Sequence, residues 1–367
     1  MATRPSTRTP PARPRRPPTP TRTPTMTDHP TPPDGTDRDD QRAEPGDGAT
    51  GPPVHRIECT VDWPPGHVAC YLVDAAEPVL VDAGAPDERG ETELREGLAD
   101  HGLTPADIEH VLVTHPHTDH DGQVSTLLDV GDPTVYAPDA AITRLERDPD
   151  ELEAVVESNA EVVGVPEAFR SYVVSQAVES LKRNARYCPP DAVDVRLAAG
   201  EAFDAGGVTF EGVHCPGHQA DQFAFAATLG DERVLFSADA VIEPFRAAAL
   251  HAGLDSGTFD SVGASYRCYG ALEAYDFDRV YPGHGPVFTD YVGAVERSIE
   301  SLDDLLDDAE ATLAELGSAP AFEVASTRAD ITEQPYVLFE TIGACAELVE
   351  RGRATDRMAD GVRLFSV

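Results

Sequence analysis

The apolar run IEHVLVT at residues 108–114 leads straight into THPHTDHDG, so the fold must gather His115, His117, Asp119 and His120 on one loop. Titratable side chains packed this tightly cost stability unless a cation compensates them. Imidazole and carboxylate are the ligands that Zn²⁺ and similar ions accept, and a loop at a strand end can turn them inward around such ions. The cluster therefore predicts a metal site at the end of a buried strand, and a purely structural role for it is disfavoured.

The pattern around the cluster is that of an α/β chain. VHRIECTV, HVACYLV and PVLVDAG read as three successive strands, because runs of Val, Ile, Leu and Tyr are bounded there by Pro and Gly. A helix is expected near 91–101, and further strands at 134–137, 193–197, 208–213, 223–228 and 233–237. Residues 144–187 carry apolar side chains three and four apart (Leu152, Val155, Val156; then Phe169, Val173, Ala177, Leu181), the mark of an inserted helical segment. Beyond Pro286 the chain reads as helical, with Leu302, Leu305, Leu306, Ala309, Leu313 and Leu316 in period, and it closes on a small hairpin, ATDRMADGVRLFSV.

Residues 1–53 hold 14 of the 32 prolines and almost no large apolar side chains, so this stretch is expected to stay disordered. Its first 25 residues carry six Arg and no acid, and read as an upstream extension with Met26 as the true start. The expected parts are thus a tail at 1–53, a catalytic domain at 54–287 and a C-terminal helical domain at 288–367.

Composition narrows the partners. With 66 Asp+Glu against 28 Lys+Arg the formal charge is −38, which disfavours nucleic acid and anionic membranes. No run of about 18 apolar residues could span a bilayer, and no apolar core of a secretory signal is seen, so a cytoplasmic location is expected. Cys59, Cys70, Cys188, Cys215, Cys268 and Cys345 are scattered without a CxxC pair, which predicts reduced, buried thiols. Lys182 is the only lysine, and together with the high Ala, Gly and Asp content this resembles proteins of salt-in halophiles.

The motif HxHxDH after an apolar strand resembles the signature of the metallo-β-lactamase superfamily of metal-dependent hydrolases. Four further motifs occur in the order that family shows: Asp82 in VLVDAG, His218 in CPGHQAD, Asp239 in LFSADAV and His284 in VYPGHGPV. The resemblance implies an αββα sandwich of two mixed sheets flanked by helices, here with the helical insertion and a helical, winged-helix-like C-terminal tail. It implies two divalent metal ions, with Zn favoured over Fe or Mn. One would be held by His115, His117 and His218 and the other by Asp119, His120 and His284, with Asp239 and a hydroxide bridging them. Asp119 and Asp82 are the catalytic candidates, Asp82 standing behind the ligands and accepting from the free N–H of one imidazole.

Within the superfamily, PGH and YPGHGP resemble the glyoxalase II-like branch, which points to a small-molecule thioester or related ester or lactone as substrate. The C-terminus shows no cluster of basic residues for the glutathione carboxylates, so the thiol carrier stays open. A metal-dependent ribonuclease and a mononuclear iron sulfur dioxygenase are the alternatives. The first is disfavoured by 17 acids against 6 Arg over residues 290–367, where a packing or homodimer role fits better. The second would use fewer of these ligands. His67, His110 and His214 read as packed or half-exposed residues and not as ligands, and Tyr187, Tyr266, Arg267 and Tyr269 are candidates to line a cleft, although a core role is the more common one for aromatic residues.

Overall fold

A computed structural model describes residues 51–367. The expected disorder of the tail therefore falls almost wholly outside the described residues. The first sheet takes β1 (Val54–Thr60), β2 (His67–Val73), β3 (Val79–Val81), β4 (His110–Leu112), β5 (Thr134–Pro138) and β6 (Val195–Leu197), in that order. Its first two pairings are antiparallel and the rest parallel. The crossovers supply α1 (Glu88–Ala99), α2 (Thr118–Asp121), α3 (Val124–Val130), α4 (Asp139–Leu145), α5 (Pro149–Val162) and α6 (Glu167–Tyr187). The second sheet holds β7 (Ala202–Ala205), β8 (Val208–His214), β9 (Phe223–Leu229), β10 (Glu232–Ala238) and β11 (Arg279–Pro282), in the order β11-β10-β9-β8-β7. Between β10 and β11 lies α7 (Ser261–Leu272).

Side-chain alternation explains the layering. In β2, Ala69, Tyr71 and Val73 join a core between the sheets with Phe225, Phe236 and Tyr281, while Cys70 and Leu72 join a second core under the helices. β9 divides the same way: Phe223, Phe225, Ala227 and Leu229 face the other sheet, and Ala224 and Ala226 face helices. A strand whose two faces are both buried reads as continuously apolar, because period 2 sends successive residues to opposite cores. The result is the αββα sandwich that the sequence predicts. The helix expected at 91–101 starts slightly earlier, since the Asp87 side chain caps it by accepting from the Gly90 amide at 2.7 Å.

The C-terminal elements are α8 (Tyr291–Leu316), β12 (Ala319–Pro320), α9 (Ala321–Arg328), α10 (Tyr336–Glu350), β13 (Thr355–Ala359) and β14 (Val362–Ser366). The closing hairpin forms as expected and pairs with β12 into a three-stranded sheet. Leu302, Leu305, Leu306, Ala309 and Leu313 of α8 are buried, in the predicted period. They join Ile342, Cys345 and Leu348 of α10 in the same core as the helices of the sandwich. All six cysteines are buried and unpaired. No helix among the described residues is long and apolar enough to cross a membrane.

Candidate metal centre

Parallel β4 ends at Leu112, and the chain then turns through Thr114, His115 and His117 into α2, which carries Asp119 and His120. The neighbouring strand β3 ends at Val81, so the next residue, Asp82, faces that turn. Asp82 adopts a left-handed φ of 58°, a conformation that Asp and Asn tolerate better than most residues. Its Oδ1 accepts from the Thr114 amide at 2.9 Å, and its Oδ2 from the Thr114 hydroxyl at 2.9 Å and from His120 Nδ1 at 2.8 Å. The Thr114 hydroxyl, having given its proton to Asp82, accepts from His115 Nδ1 at 3.0 Å.

Other imidazoles are held by carbonyls. His218 Nδ1 donates to the Ala248 carbonyl at 2.8 Å, and His284 Nδ1 to the His67 carbonyl at 2.6 Å. Carboxylate and carbonyl oxygens only accept, so the proton of His115, His120, His218 and His284 sits on Nδ1. In its neutral form each ring then keeps its lone pair on Nε2, the form that can bind a cation.

These lone pairs converge. His117 Nδ1 lies 3.1 Å from His115 Nε2 and 3.0 Å from His218 Nε2. With one hydrogen at most on His117 Nδ1, only one of those contacts can be a hydrogen bond. The spacing is close to the ~3.3 Å edge of a tetrahedron with metal–nitrogen bonds of ~2.0–2.1 Å. Asp239 sits between two groups: its Oδ2 is 3.2 Å from His218 Nε2, while its Oδ1 is 3.4 Å from His120 Nε2 and 3.5 Å from His284 Nε2. Asp119 Oδ2 lies 3.5 Å from His284 Nε2. His120 Nε2 and Asp239 Oδ1 are buried without any hydrogen-bond partner. Buried polar atoms orphaned in this way require an explanation, and a cation held between them would supply it. Three ligand groups are thus close enough to grip an ion: His115, His117 and His218; His115, His120 and Asp239; Asp119, His120 and His284.

The electrostatics agree with that donor set. Burial drives His115 and His117 well below the ordinary imidazole range, and neighbouring imidazoles push the same way. Burial lowers His218 too, against the pull of Asp239. Burial also opposes charge on His120, but Asp239, Asp82 and Asp119 together outweigh it and raise that residue well above its usual range. Burial likewise works against the Asp239 carboxylate, and His284, His120 and His218 overcome it, holding the group well below the usual range. Opposed shifts within one enclosed cluster are the mark of a functional site.

Gly283 of YPGHGP shows why a backbone without a side chain is needed here. A Cβ on it would lie 2.6 Å from His120 Cε1 and 2.7 Å from Asp239 Oδ1, inside the cluster. Gly217 of CPGH has φ 139°, and its Cβ would meet Ser265 Oγ at 2.3 Å.

The structure brings together all seven ligand candidates, with Asp82 behind His120. It also separates the peripheral residues from the cluster. Tyr269 is buried in the core, Tyr266 donates to Asp303 at 2.6 Å beneath Arg351, Arg267 pairs with Asp260, and Tyr187 lies under Arg186, so none of them is tied to the cluster. Half-buried His110 contacts Glu77 at 3.0 Å and exposed His214 donates to the Ala220 carbonyl at 2.9 Å, and neither belongs to the ligand groups. His67 does more than pack, since its carbonyl orients His284 and its Nε2 accepts from the Gly285 amide at 3.0 Å. Thr114, Gln219 (3.3 Å from His117 Nε2) and Asn184 were not foreseen. From α6 of the helical insertion, Asn184 Nδ2 donates at 2.5 Å to the carbonyl of Pro116, between two of the histidines. Thr114 adjoins the motif, whereas nothing in the sequence links Asn184 to a loop 68 residues away.

An αββα sandwich with a His/Asp cluster at its strand ends defines a class of metal-binding hydrolase folds. The profile of the metallo-beta-lactamase superfamily matches residues 63–284, and the chain belongs to that family, whose members are generally metal-binding hydrolases. Among curated proteins it is similar to a beta-lactamase-like protein 2 homolog of Caenorhabditis elegans, 27% identical over 232 residues, or 63% of this chain and 60% of the relative. It is also similar to the thioesterase pkgB of Emericella nidulans, 25% identical over 230 residues, or 62% of this chain and 49% of the relative. The chain thus spans about half to three fifths of the length of these curated relatives. Among solved structures, a metallo-beta-lactamase family protein of Thermus thermophilus superposes with a TM-score of 0.67 at 23% identity, covering 86% of this chain and 98% of that one. A beta-lactamase domain protein of Burkholderia ambifaria gives 0.65 at 21% identity, covering 87% and 93%.

Proposed function

We propose that this chain is a dinuclear metal-dependent hydrolase acting on thioesters or related esters and lactones. The observation that carries the reading is Asp239, whose two oxygens face different nitrogen groups, Oδ2 at 3.2 Å from His218 and Oδ1 at 3.4 and 3.5 Å from His120 and His284. His115, His117 and His218 would hold one divalent cation, Asp119, His120 and His284 the other, and Asp239 would serve both. A nitrogen-rich set with carboxylates suits Zn²⁺, with Fe or Mn as substitutes. Two cations bound there would lower the pKa of a shared water and polarise an acyl oxygen.

The residues of the chain supply the rest. Asp82, Thr114, Ala248 and His67 fix the tautomers of His120, His115, His218 and His284 so that their Nε2 atoms point inward, while His117 presents Nδ1. Asp119, the most accessible of the three carboxylates at 8% exposure against 5% for Asp239 and 3% for Asp82, would serve as the proton acceptor of the site. A thiolate leaves without strong acid assistance, which fits a centre built from bases and carboxylates. The thioesterase among the relatives and the glyoxalase II-like PGH and YPGHGP motifs support the thioester class.

The test is a panel of thioesters and lactones with metal quantification, run at multimolar salt as the acidic composition asks. Thioester turnover is expected, and H115A and D239A should abolish it while leaving the fold intact. Turnover retained in either variant would overturn the mechanism.

A further inference from the structure

Between β10 and α7 the chain crosses residues 239–260 without a helix or strand, yet this stretch carries the carbonyl that orients His218. That carbonyl belongs to the peptide group joining Ala248 and Ala249. Its oxygen accepts from His218 Nδ1 at 2.8 Å, and the N–H of the same group donates to Glu340 Oε1 at 3.0 Å. A trans peptide is rigid and planar, with its N–H and C=O pointing in opposite directions. Glu340 on α10 and His218 at the metal centre therefore grip the two ends of one plate, and the plate cannot rotate without breaking both bonds.

Glu340 is itself fixed. The same Oε1 accepts from Arg246 Nη2 at 2.7 Å, and the two side chains are only 10% and 8% exposed. Arg246 in turn donates from Nη1 to the Ala247 carbonyl at 2.6 Å and from Nε to Ser301 Oγ of α8 at 3.3 Å. The far edge of the loop is closed by the His251 amide, which reaches the Gly217 and His218 carbonyls at 2.9 and 2.8 Å.

We propose that Glu340 of the C-terminal helices is a positioning residue for the metal centre, acting through the 248–249 peptide group to fix the tautomer and raise the basicity of His218. The arrangement extends the familiar carboxylate–imidazole–metal chain by one peptide unit. A carboxylate accepting the N–H polarises the group and strengthens its carbonyl as an acceptor for the imidazole proton. It also gives the C-terminal helices a task at a centre to which they contribute no ligand candidate. The inference rests on the metal-site reading above.

The experiment compares full-length wild type with E340Q, E340D and the double variant R246M/E340M. Zinc affinity is measured by chelator competition, and the His218 imidazole is followed by ¹⁵N NMR in the metal-free protein. E340Q keeps an oxygen at the same reach and should bind zinc within a few-fold of wild type. E340D keeps the charge but is one methylene too short, and R246M/E340M removes both charges together; each should lose on the order of tenfold in affinity, the low end for partners of ligand imidazoles. A role limited to neutralising buried Arg246 predicts the opposite ranking, with Asp better than Gln. E340D or the double variant, folded and binding zinc like wild type, would overturn the proposal. Should neither fold, E340Q decides: its weaker acceptor should move the His218 Nδ1–H signal upfield, and an unmoved signal would refute the relay. Wild type that binds no zinc would instead refute the metal-site reading, while the NMR comparison still reports on the peptide relay.

Discussion

Replacing Asp82 by Asn is a sharp perturbation, because the side chain keeps its size and its tolerance of the left-handed φ of 58°. What changes is the negative charge, which helps raise His120, and the donor and acceptor pattern. The carboxylate receives Thr114 N–H on Oδ1 and both the Thr114 hydroxyl and His120 Nδ1–H on Oδ2. An amide has one acceptor. With its oxygen towards His120, its NH₂ faces the buried Thr114 amide, and a buried donor left unsatisfied costs about 1–3 kcal/mol of stability. With its oxygen towards Thr114, its NH₂ faces His120 Nδ1 and drives the imidazole proton to Nε2, where the ligand lone pair is needed. That should weaken metal binding by about 10- to 100-fold, or ~1.4–2.8 kcal/mol at ~1.4 kcal/mol per decade. The assay is thermal unfolding of the metal-free variant beside chelator competition of the loaded one. One of the two losses must appear. D82N with wild-type stability and wild-type affinity would refute the claim that Asp82 sets the His120 tautomer.

The depressed pKa values of His115, His117 and His218 give a pH dependence of definite sign. A histidine whose folded pKa lies below its unfolded value contributes stability above about pH 6.5 that is lost as pH falls. Metal affinity depends instead on the folded site, where the carboxylates raise His120 and His284, so protons compete for those nitrogens from near neutrality downward and affinity should fall as the pH drops from 7 to 5. Affinity unchanged between pH 7 and pH 5 would contradict the imidazole ligand set. The six cysteines are all buried, and burial raises the Cys188 thiol and pushes that of Cys345 up to about 12. A thiol reagent should label none of them in the native protein and all of them after unfolding; rapid native labelling would show that the core is wrongly placed.

Much of the centre was legible because its ligand candidates lie in short motifs at strand ends, where β3, β4, β10 and β11 must release the chain. Strands such as β2 and β9 were legible as apolar runs, but the runs alone do not show which residue faces which core. α7 escaped notice because its sequence, SVGASYRCYGAL, is buried on nearly every side and offers no polar face to mark a period. Tyr269 of the same helix takes the core role that is the more common one for an aromatic residue. The groups that orient His218 and His284 are the carbonyls of Ala248 and His67. Every residue has a carbonyl, so no residue type could announce them. Asn184 and Glu340 reach the centre across 68 and 91 residues, a relation that only the packed chain reveals.

The most direct test of the dinuclear reading is metal content per chain in the purified wild type and in D239A. The bridging geometry predicts two divalent ions in wild type and fewer than two in D239A, with both proteins folded. Wild type with no tightly held metal, or D239A retaining two ions per chain, would contradict it.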